Sequence, residues 1–229
     1  MKDRIGMAST FLLSAAALLL MAAGFMLWDQ PVLEAVGAGA AKEWQEVARF
    51  LSRYGDFPFL LAAGVVALAV SLCLRAASWS RILTAMILAG IIAGLASNLI
   101  KLGTGRVRPR VEQVAHGWYG PKHGDQWVSL RHDFQSFPSS HAACAFGFFW
   151  PLFLSRRWWG AAGLLLAAAI AWSRVQLNAH HVSDVAAGAL LGMLAGWFVW
   201  RWIITRGGWS RWLGKQGPKT GEGNSGPVR

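Results

Sequence analysis

Long apolar runs constrain this chain more than any other feature, because a helix that spans a bilayer needs about 20 consecutive apolar residues. Hydrophobic residues make up 55% of the 229 residues and charged residues only 14%, which is too apolar for an ordinary soluble domain. The runs are separated by charged or polar segments and cover residues 5–28, 57–74, 82–100, 140–154, 158–177 and 182–205. We therefore predict an all-α, polytopic membrane protein with six transmembrane helices.

The segments at the start of the chain need separate interpretations. Residues 5–28 could be the apolar part of a cleaved signal peptide, but the run is long for that role, which favours a retained anchor. Residues 29–56 mix charged and apolar side chains, and apolar residues recur at helical spacing from Val47 to Tyr54. This pattern predicts a helix that lies along the membrane interface.

The Lys and Arg residues indicate the orientation of the six spans. With the N-terminus inside, the inner segments hold more than half of the 22 Lys and Arg residues but only two acids, Asp3 and Glu222. Both termini are therefore predicted to be cytoplasmic. Residues 1–205 form one predicted membrane domain, and residues 206–229 form a basic, Gly-rich tail that we predict to be disordered.

The net charge of +11 would also suit a protein that binds nucleic acid. The basic residues, however, gather at the ends of the apolar runs, which favours anionic lipid or phosphate ligands and no nucleic-acid partner. Several of the 14 Trp residues lie at the same ends, as in an interfacial aromatic belt. Cys73 and Cys144 lie inside apolar runs and indicate core packing, not a disulfide or a metal site.

A polar segment, residues 173–184, joins the last two apolar runs and contains Arg174, His180 and Asp184. Charged side chains are costly beside membrane helices and usually mark a site. His180 and Asp184 are four residues apart, so a helix that begins near His180 places both on one face. The carboxylate would then orient the imidazole, as a nucleophile or general base requires. The alternative is a capping Asp beside a His in an interfacial loop.

Two further polar clusters fall on the same predicted outer face. Lys101 ends the third run, and Arg108 follows two glycines and precedes Pro109. Two cations beside a stiff turn suit a phosphate, although juxtamembrane charge that binds lipid headgroups is the alternative.

The other cluster, residues 137–141, has the composition of a helix start. Free N–H groups at this start would bind an anion, with His141 beside it in the first turn. A plain Ser cap with an incidental His is the alternative. Together the three clusters suit phosphoryl transfer, in which one His attacks phosphorus and the other protonates the leaving oxygen. A non-catalytic lipid transporter would need the cations but neither histidine.

The three motifs are Lys-x6-Arg-Pro from Lys101, Pro-Ser-x-His from Pro138 and Ser-Arg-x5-His-x3-Asp from Ser173. In this order they resemble the type 2 phosphatidic acid phosphatase (PAP2) superfamily. The resemblance implies a bacterial inner-membrane lipid phosphatase with a periplasmic site, a phosphohistidine intermediate and no metal cofactor. The implied substrates are undecaprenyl diphosphate, phosphatidylglycerophosphate or phosphatidic acid, and lipid A 1-phosphate is the alternative.

The resemblance also implies roles for single residues. His180 matches the nucleophile, Asp184 its orienting acid and His141 the general acid. Ser140 stands where the family commonly has Gly, but its backbone N–H can still bind an oxyanion. His181 is the second choice as nucleophile, because it is three residues from Asp184 instead of four. The remaining phosphate-binding positions are matched by Lys101, Arg108, Ser139 and Arg174.

Residues 102–137 form a long polar segment between the third and fourth runs. Its cationic side chains and histidines could contact a headgroup or a second phosphate, but for each of them we favour a place in a solvated loop. These side chains are Arg106, Arg110, His116, Lys122, His123, Arg131 and His132.

Overall fold

The computed structural model describes residues 27–36 and 42–205. In this part of the chain the helices are α1 (27–36), α2 (Lys42–Tyr54), α3 (Phe57–Cys73), α4 (Ala77–Thr104), α5 (Ser140–Ser155), α6 (Arg157–Gln176) and α7 (Val182–Thr205). Two short 3-10 helices, Val128–Leu130 and His132–Phe134, lie between α4 and α5. The described residues form no β-strand beyond isolated bridges, which confirms the predicted all-α class.

The number of membrane spans differs from the prediction. Three helices, α4, α6 and α7, are long and apolar enough to cross a bilayer, and a fourth span is added if α2 and α3, which meet at a 53° bend, are counted together. The protein is therefore an integral membrane protein, but six spans are not confirmed. Except for its last two positions, the predicted first span (5–28) lies outside the described residues, as does the predicted tail (206–229).

The predicted interfacial helix is two helices, α1 and α2, and the apolar pattern marks an unexpected face of α2. The side of α2 that holds Ala48 and Ser52 is buried and packs against α6, whereas Val47, Phe50 and Tyr54 are exposed. Small residues therefore make the helix–helix contact. The large apolar residues point outwards, where they suit contact with lipid.

Helix α5 is the centre of the bundle and packs against α4, α6 and α7. Its contact with α7 is close because Gly192 has no side chain. A Cβ at Gly192 would lie 2.4 Å from the Ala143 carbonyl oxygen of α5, too close for any other residue. Small residues thus let these two helices approach backbone to backbone. This contact fixes the start of α7 next to the start of α5.

The connecting segment between α4 and α5 (residues 105–139) is not a simple solvated loop. Val107, Val111, Val128 and Phe134 form a small buried core of their own. Gly105 ends α4 with a positive φ of 55°, and a Cβ there would lie 1.9 Å from the Gly120 carbonyl oxygen. This turn folds the connecting segment over the end of the bundle, where the predicted site residues lie.

Candidate active site

The three sequence clusters meet at one end of the bundle. Lys101 lies in the last turn of α4, and its Nζ donates to Ser140 Oγ at 2.5 Å in the first turn of α5. The backbone N–H of Ser139, which precedes α5, donates at 2.9 Å to the carbonyl oxygen of Asp184 in α7. Arg108 Nη1 donates at 3.3 Å to the Ala179 carbonyl oxygen between α6 and α7. Helix ends from four parts of the chain therefore form one polar site.

Lys101 is a buried cation whose ammonium group donates to the Ser140 hydroxyl. Besides the lysine, Ser140 Oγ lies 2.9 Å from Ser97 Oγ and 3.1 Å from Asn98 Oδ1. The Ser that replaces the family's common Gly thus connects the cation to two polar residues of α4. The ammonium group has only neutral hydroxyl and amide neighbours in this set, which leaves its charge available for an anion.

Arg108 is buried and fixed by backbone carbonyls. Its Nε donates to the His132 carbonyl oxygen at 2.9 Å, and Nη2 donates to that of Gln135 at 3.3 Å. Burial and the charges of Arg110 and Arg174 lower the pKa of Arg108 to about 10, so it remains a cation at neutral pH. Among the residues at 27–36 and 42–205, Arg108 has no carboxylate partner, and a desolvated cation of this kind favours binding of an oxyanion.

Arg174, near the end of α6, also forms no ion pair with a carboxylate of the described residues. Its Nη1 donates to Ser52 Oγ of α2. Its Nε is buried and has no hydrogen-bond partner in the described part of the chain. Buried donors are nearly always paired, so this nitrogen is suited to a ligand oxygen.

Ser139 begins α5, as predicted. It has extended backbone angles, and its Oγ accepts a long bond (3.5 Å) from the Ala142 N–H. This cap uses an acceptor position of the hydroxyl and leaves its proton free to donate. The start of α5 therefore presents the end of a helix dipole and a hydroxyl donor next to the cations.

His180 is buried between α6 and α7, and its environment fixes its tautomer. Nδ1 lies 2.7 Å from the Ser136 carbonyl oxygen and 3.8 Å from Asp184 Oδ2. Because a carbonyl can only accept, Nδ1 carries the proton and Nε2 carries the lone pair. Burial lowers the pKa of His180 to about 3, although the negative charge of Asp184 acts in the opposite direction. His180 is thus neutral at pH 7, as an attacking imidazole requires.

Asp184 lies in the first turn of α7 and is fully buried. Its Oδ2 accepts from Ser136 Oγ at 2.5 Å and from the His181 N–H at 2.8 Å, and it lies 3.2 Å from His181 Nδ1. The predicted partner of His180 is therefore closer to His181 than to His180. It orders the loop around His180 instead of making the short contact to its ring.

Arg106 was assigned to a solvated loop, and this interpretation was wrong. Its Nη1 contacts Asp184 Oδ1 at 2.5 Å, and its Nη2 contacts Asp29 Oδ2 of α1 at 2.7 Å. Asp29 also accepts from the Ser183 N–H at 2.9 Å and from its hydroxyl at 2.6 Å. The only sequence signal for Arg106 is its distance of two residues from Arg108. In an extended segment this spacing places both side chains on one side.

The other cationic and histidine side chains of the connecting segment are exposed, in agreement with the prediction of a solvated surface. They are Arg110, His116, Lys122, His123, Arg131 and His132. Within the described residues, no group of three or more His, Cys, Asp or Glu side chains is arranged to hold a metal ion.

His141 lies in the first turn of α5 and contacts an acid that the sequence did not reveal. Its Nε2 is 3.3 Å from Asp56 Oδ1, at the start of α3. Asp56, Asn98 and Ser140 also line one part of a cavity of about 270 Å³ between α3, α4 and α5. The rest of its wall is mainly apolar and includes Phe57, Ile91, Leu95 and Cys144. An apolar chain attached to a polar head fits such a space.

Comparisons with known proteins identify relatives of this chain. The family model of the PAP2 superfamily matches residues 78–207. The lipid A 1-phosphatase of Rhizobium etli is 28% identical over 190 residues, which are 78% of this chain and 77% of that protein. The bacitracin transport permease protein BcrC of Bacillus licheniformis is 44% identical over 64 residues, but the match spans only 32% of its length and 28% of this chain.

Two solved structures share the fold. The crystal structure of Aquifex aeolicus LpxE has a TM-score of 0.57 and 19% identity, and the alignment covers 76% of this chain and 95% of that one. The transmembrane PAP2-type phosphatidylglycerolphosphate phosphatase of Bacillus subtilis has a TM-score of 0.60 and 22% identity, with 85% and 94% covered. At these identities the likeness concerns the fold alone.

Proposed function

Because the chain belongs to the PAP2 superfamily, we propose that it is a membrane lipid phosphatase that hydrolyses a lipid phosphate monoester or diphosphate. The observation that carries this proposal is the charge arrangement around the two histidines. Lys101, Arg108 and Arg174 converge beside His141 and His180, and none of the three cations forms an ion pair with a carboxylate in the described residues. A phosphate would supply the missing negative charge.

The proposed reaction has two steps. The Nε2 lone pair of His180 attacks phosphorus, the bond to the lipid oxygen breaks, and His141 gives its proton to that oxygen. A water molecule then attacks the phosphohistidine, His141 takes its proton, and the nitrogen–phosphorus bond breaks to release phosphate. The cations and the N–H groups at the start of α5 stabilise the charge on the phosphoryl oxygens in both steps.

The lipid portion of the substrate would occupy the cavity between α3, α4 and α5. The first candidates are isoprenoid diphosphates such as undecaprenyl diphosphate, together with phosphatidylglycerophosphate and phosphatidic acid. The alternative, lipid A 1-phosphate, is supported by similarity to the Rhizobium etli lipid A 1-phosphatase over 78% of the chain. All of these substrates share a phosphate attached to a large apolar group.

Phosphate release by the protein purified in detergent tests the proposal. We expect release from at least one member of a panel of undecaprenyl diphosphate, phosphatidylglycerophosphate, phosphatidic acid and lipid A, with EDTA present. His180→Ala should abolish release, whereas the matched variant His123→Ala, at an exposed position, should retain it. No release from any of these lipids would contradict the function and favour the non-catalytic lipid transporter.

The proposed site faces the periplasm of a bacterial inner membrane. A membrane-impermeant maleimide tests this in intact cells, in a variant whose exposed Cys73 is replaced by Ser. A cysteine at Lys122, in the connecting segment, should be labelled from outside. A cysteine at Arg156, in the turn between α5 and α6, should be protected until the membrane is opened. The reverse pattern would contradict the orientation.

A further inference from the structure

The corner between α2 and α3 (residues 52–57) contacts two of the predicted catalytic and phosphate-binding residues. Ser52 accepts a hydrogen bond from Arg174, and Asp56 contacts His141. The corner precedes residues 78–207, which match the family model. Its contribution therefore comes from a part of the chain that carries none of the three motifs.

The position of Asp56 is well defined. Its Oδ1 accepts the Phe57 N–H at 2.8 Å and so caps α3, and the same oxygen lies 3.3 Å from His141 Nε2. The Asp56 side chain is 47% exposed and that of His141 is 20% exposed. The cap fixes the carboxylate, and the carboxylate in turn holds one nitrogen of the imidazole.

His141 has a difficult electrostatic environment for a general acid. Burial disfavours the protonated ring most, and the positive charges of Arg174 from α6, Lys101 from α4 and Arg108 from the connecting segment act in the same direction. These are the cations that the phosphate requires. Asp56 supplies negative charge at contact distance and opposes them. Asp56 is thus the group in contact with His141 that favours the protonated ring, against burial and the three cations.

We propose that Asp56 is a positioning residue that orients His141 and stabilises its protonated form for leaving-group protonation. Asp56 takes no part in the bond changes. His141 loses its proton to the lipid oxygen and regains one from water, while the carboxylate holds the ring in both steps, as the Asp of a hydrolase triad holds its His. This proposal rests on the proposed phosphatase function.

Asp56→Asn is the test variant, because Asn caps a helix about as well as Asp and keeps the shape of the side chain. With a lipid phosphate, whose alkoxide leaving group needs a proton, kcat should fall about 10-fold, which is less than the roughly 100- to 10,000-fold that a general acid itself contributes, because His141 remains in place. With 4-nitrophenyl phosphate, whose leaving group needs no proton, the fall should be much smaller. Glu46→Gln, an exposed change of equal charge on α2, should alter neither rate.

Two results would support the role beyond a structural one. The alkaline limb of the kcat/KM profile should move to lower pH in Asp56→Asn, and the substitution should have no further effect in a His141→Ala background. An equal loss on both substrates with an unchanged pH profile would overturn the proposal. So would a full additional loss in the His141→Ala background.

A readout without turnover separates this proposal from the proposed function. Diethyl pyrocarbonate modifies neutral imidazole, so Asp56→Asn should increase the rate of His141 modification at mildly acidic pH, measured on its peptide by mass spectrometry. A higher rate of His141 modification, in a protein that hydrolyses no substrate, would support the Asp56–His141 interaction and contradict the proposed phosphatase function. An unchanged rate would overturn the role of Asp56, whatever the activity.

Discussion

The two histidines of the site have opposite surroundings. His180 is 2% exposed, donates to the backbone carbonyl of Ser136 and lies beside the buried carboxylate of Asp184. His141 is partly exposed and contacts a half-exposed carboxylate at a helix corner. A nucleophile must be neutral to attack, and burial favours the neutral ring. A general acid must carry its proton, and a carboxylate favours the charged ring. In the proposed mechanism, this difference in environment would suit His180 to nucleophilic attack and His141 to proton donation.

The largest expected effect separates His180 from its neighbour. His180→Ala should lower phosphate release by about 1,000-fold or more, because no other group in its position can attack phosphorus. His181→Ala should retain most of the activity, although His181 is the closer of the two to Asp184. When the enzyme is quenched rapidly during turnover, the acid-labile phosphate should be found on His180 of the phosphorylated peptide. Phosphate on His181 would reverse the assignment.

The second effect concerns thermal stability, and it tests whether the buried ion pairs next to His180 stabilise the fold. Arg106→Met would leave the buried carboxylates of Asp29 and Asp184 without their shared cation. Breaking a buried ion pair in this way costs about 3–5 kcal/mol. Thermal unfolding in detergent, followed by Trp fluorescence, should show a clear fall in Tm.

Two comparisons make this measurement specific. Arg110→Met removes an exposed cation from the same segment and should leave Tm nearly unchanged. Asp29→Asn combined with Arg106→Met should recover part of the loss, because it removes one of the two unpaired carboxylates. A normal Tm for Arg106→Met would show that the network does not support the fold.

Some residues of the site could be predicted from the sequence, and others could not. His180, Asp184 and Arg174 lie within one short segment, and His141 and Lys101 lie at the ends of apolar runs, so local spacing was enough to find them. The contacts of Asp29, Arg106 and Asp56 were not predicted, because their partners lie far away in the sequence. The bonds that join Arg106 to Asp29 and Asp184, and Asp29 to Ser183, connect residues 77 to 154 positions apart. Only the packing of α1, of the connecting segment and of the α2–α3 corner brings them to the site.

Burial was also harder to predict than helix position. The apolar run that we placed at residues 82–100 is part of a helix that extends from Ala77 to Thr104, so Lys101 lies inside the last turn and not after it. The polar composition of residues 102–137 concealed a small core around Val107, because valines spaced through a polar segment give no clear period.

A smaller effect is expected from Ser140→Gly, which introduces the residue that the family commonly has. The backbone N–H at this position remains, so kcat should change by no more than about 3-fold. Lys101 would lose its 2.5 Å contact, and with it a group that competes with the phosphate for the ammonium. We therefore expect a lower KM, measured by initial rates, with Ser97→Ala as the control for the adjacent hydroxyl. A large loss of kcat would show that the Ser140 hydroxyl itself acts on the substrate.

The smallest expected effect is no change at all, and it is the sharpest test of the contrast between the two rings. Because the pKa of His180 is lowered to about 3, its Nε2 should stay unprotonated as pH falls from 7 to 5, whereas a free histidine titrates near pH 6.5. In protein labelled with ¹⁵N-histidine, the Nε2 shift of His180, assigned with His180→Ala, should stay constant over this range. A shift that moves with a midpoint near 6 would mean that burial does not keep the proposed nucleophile neutral. The environments of the two histidines would then no longer support the roles that we propose for them.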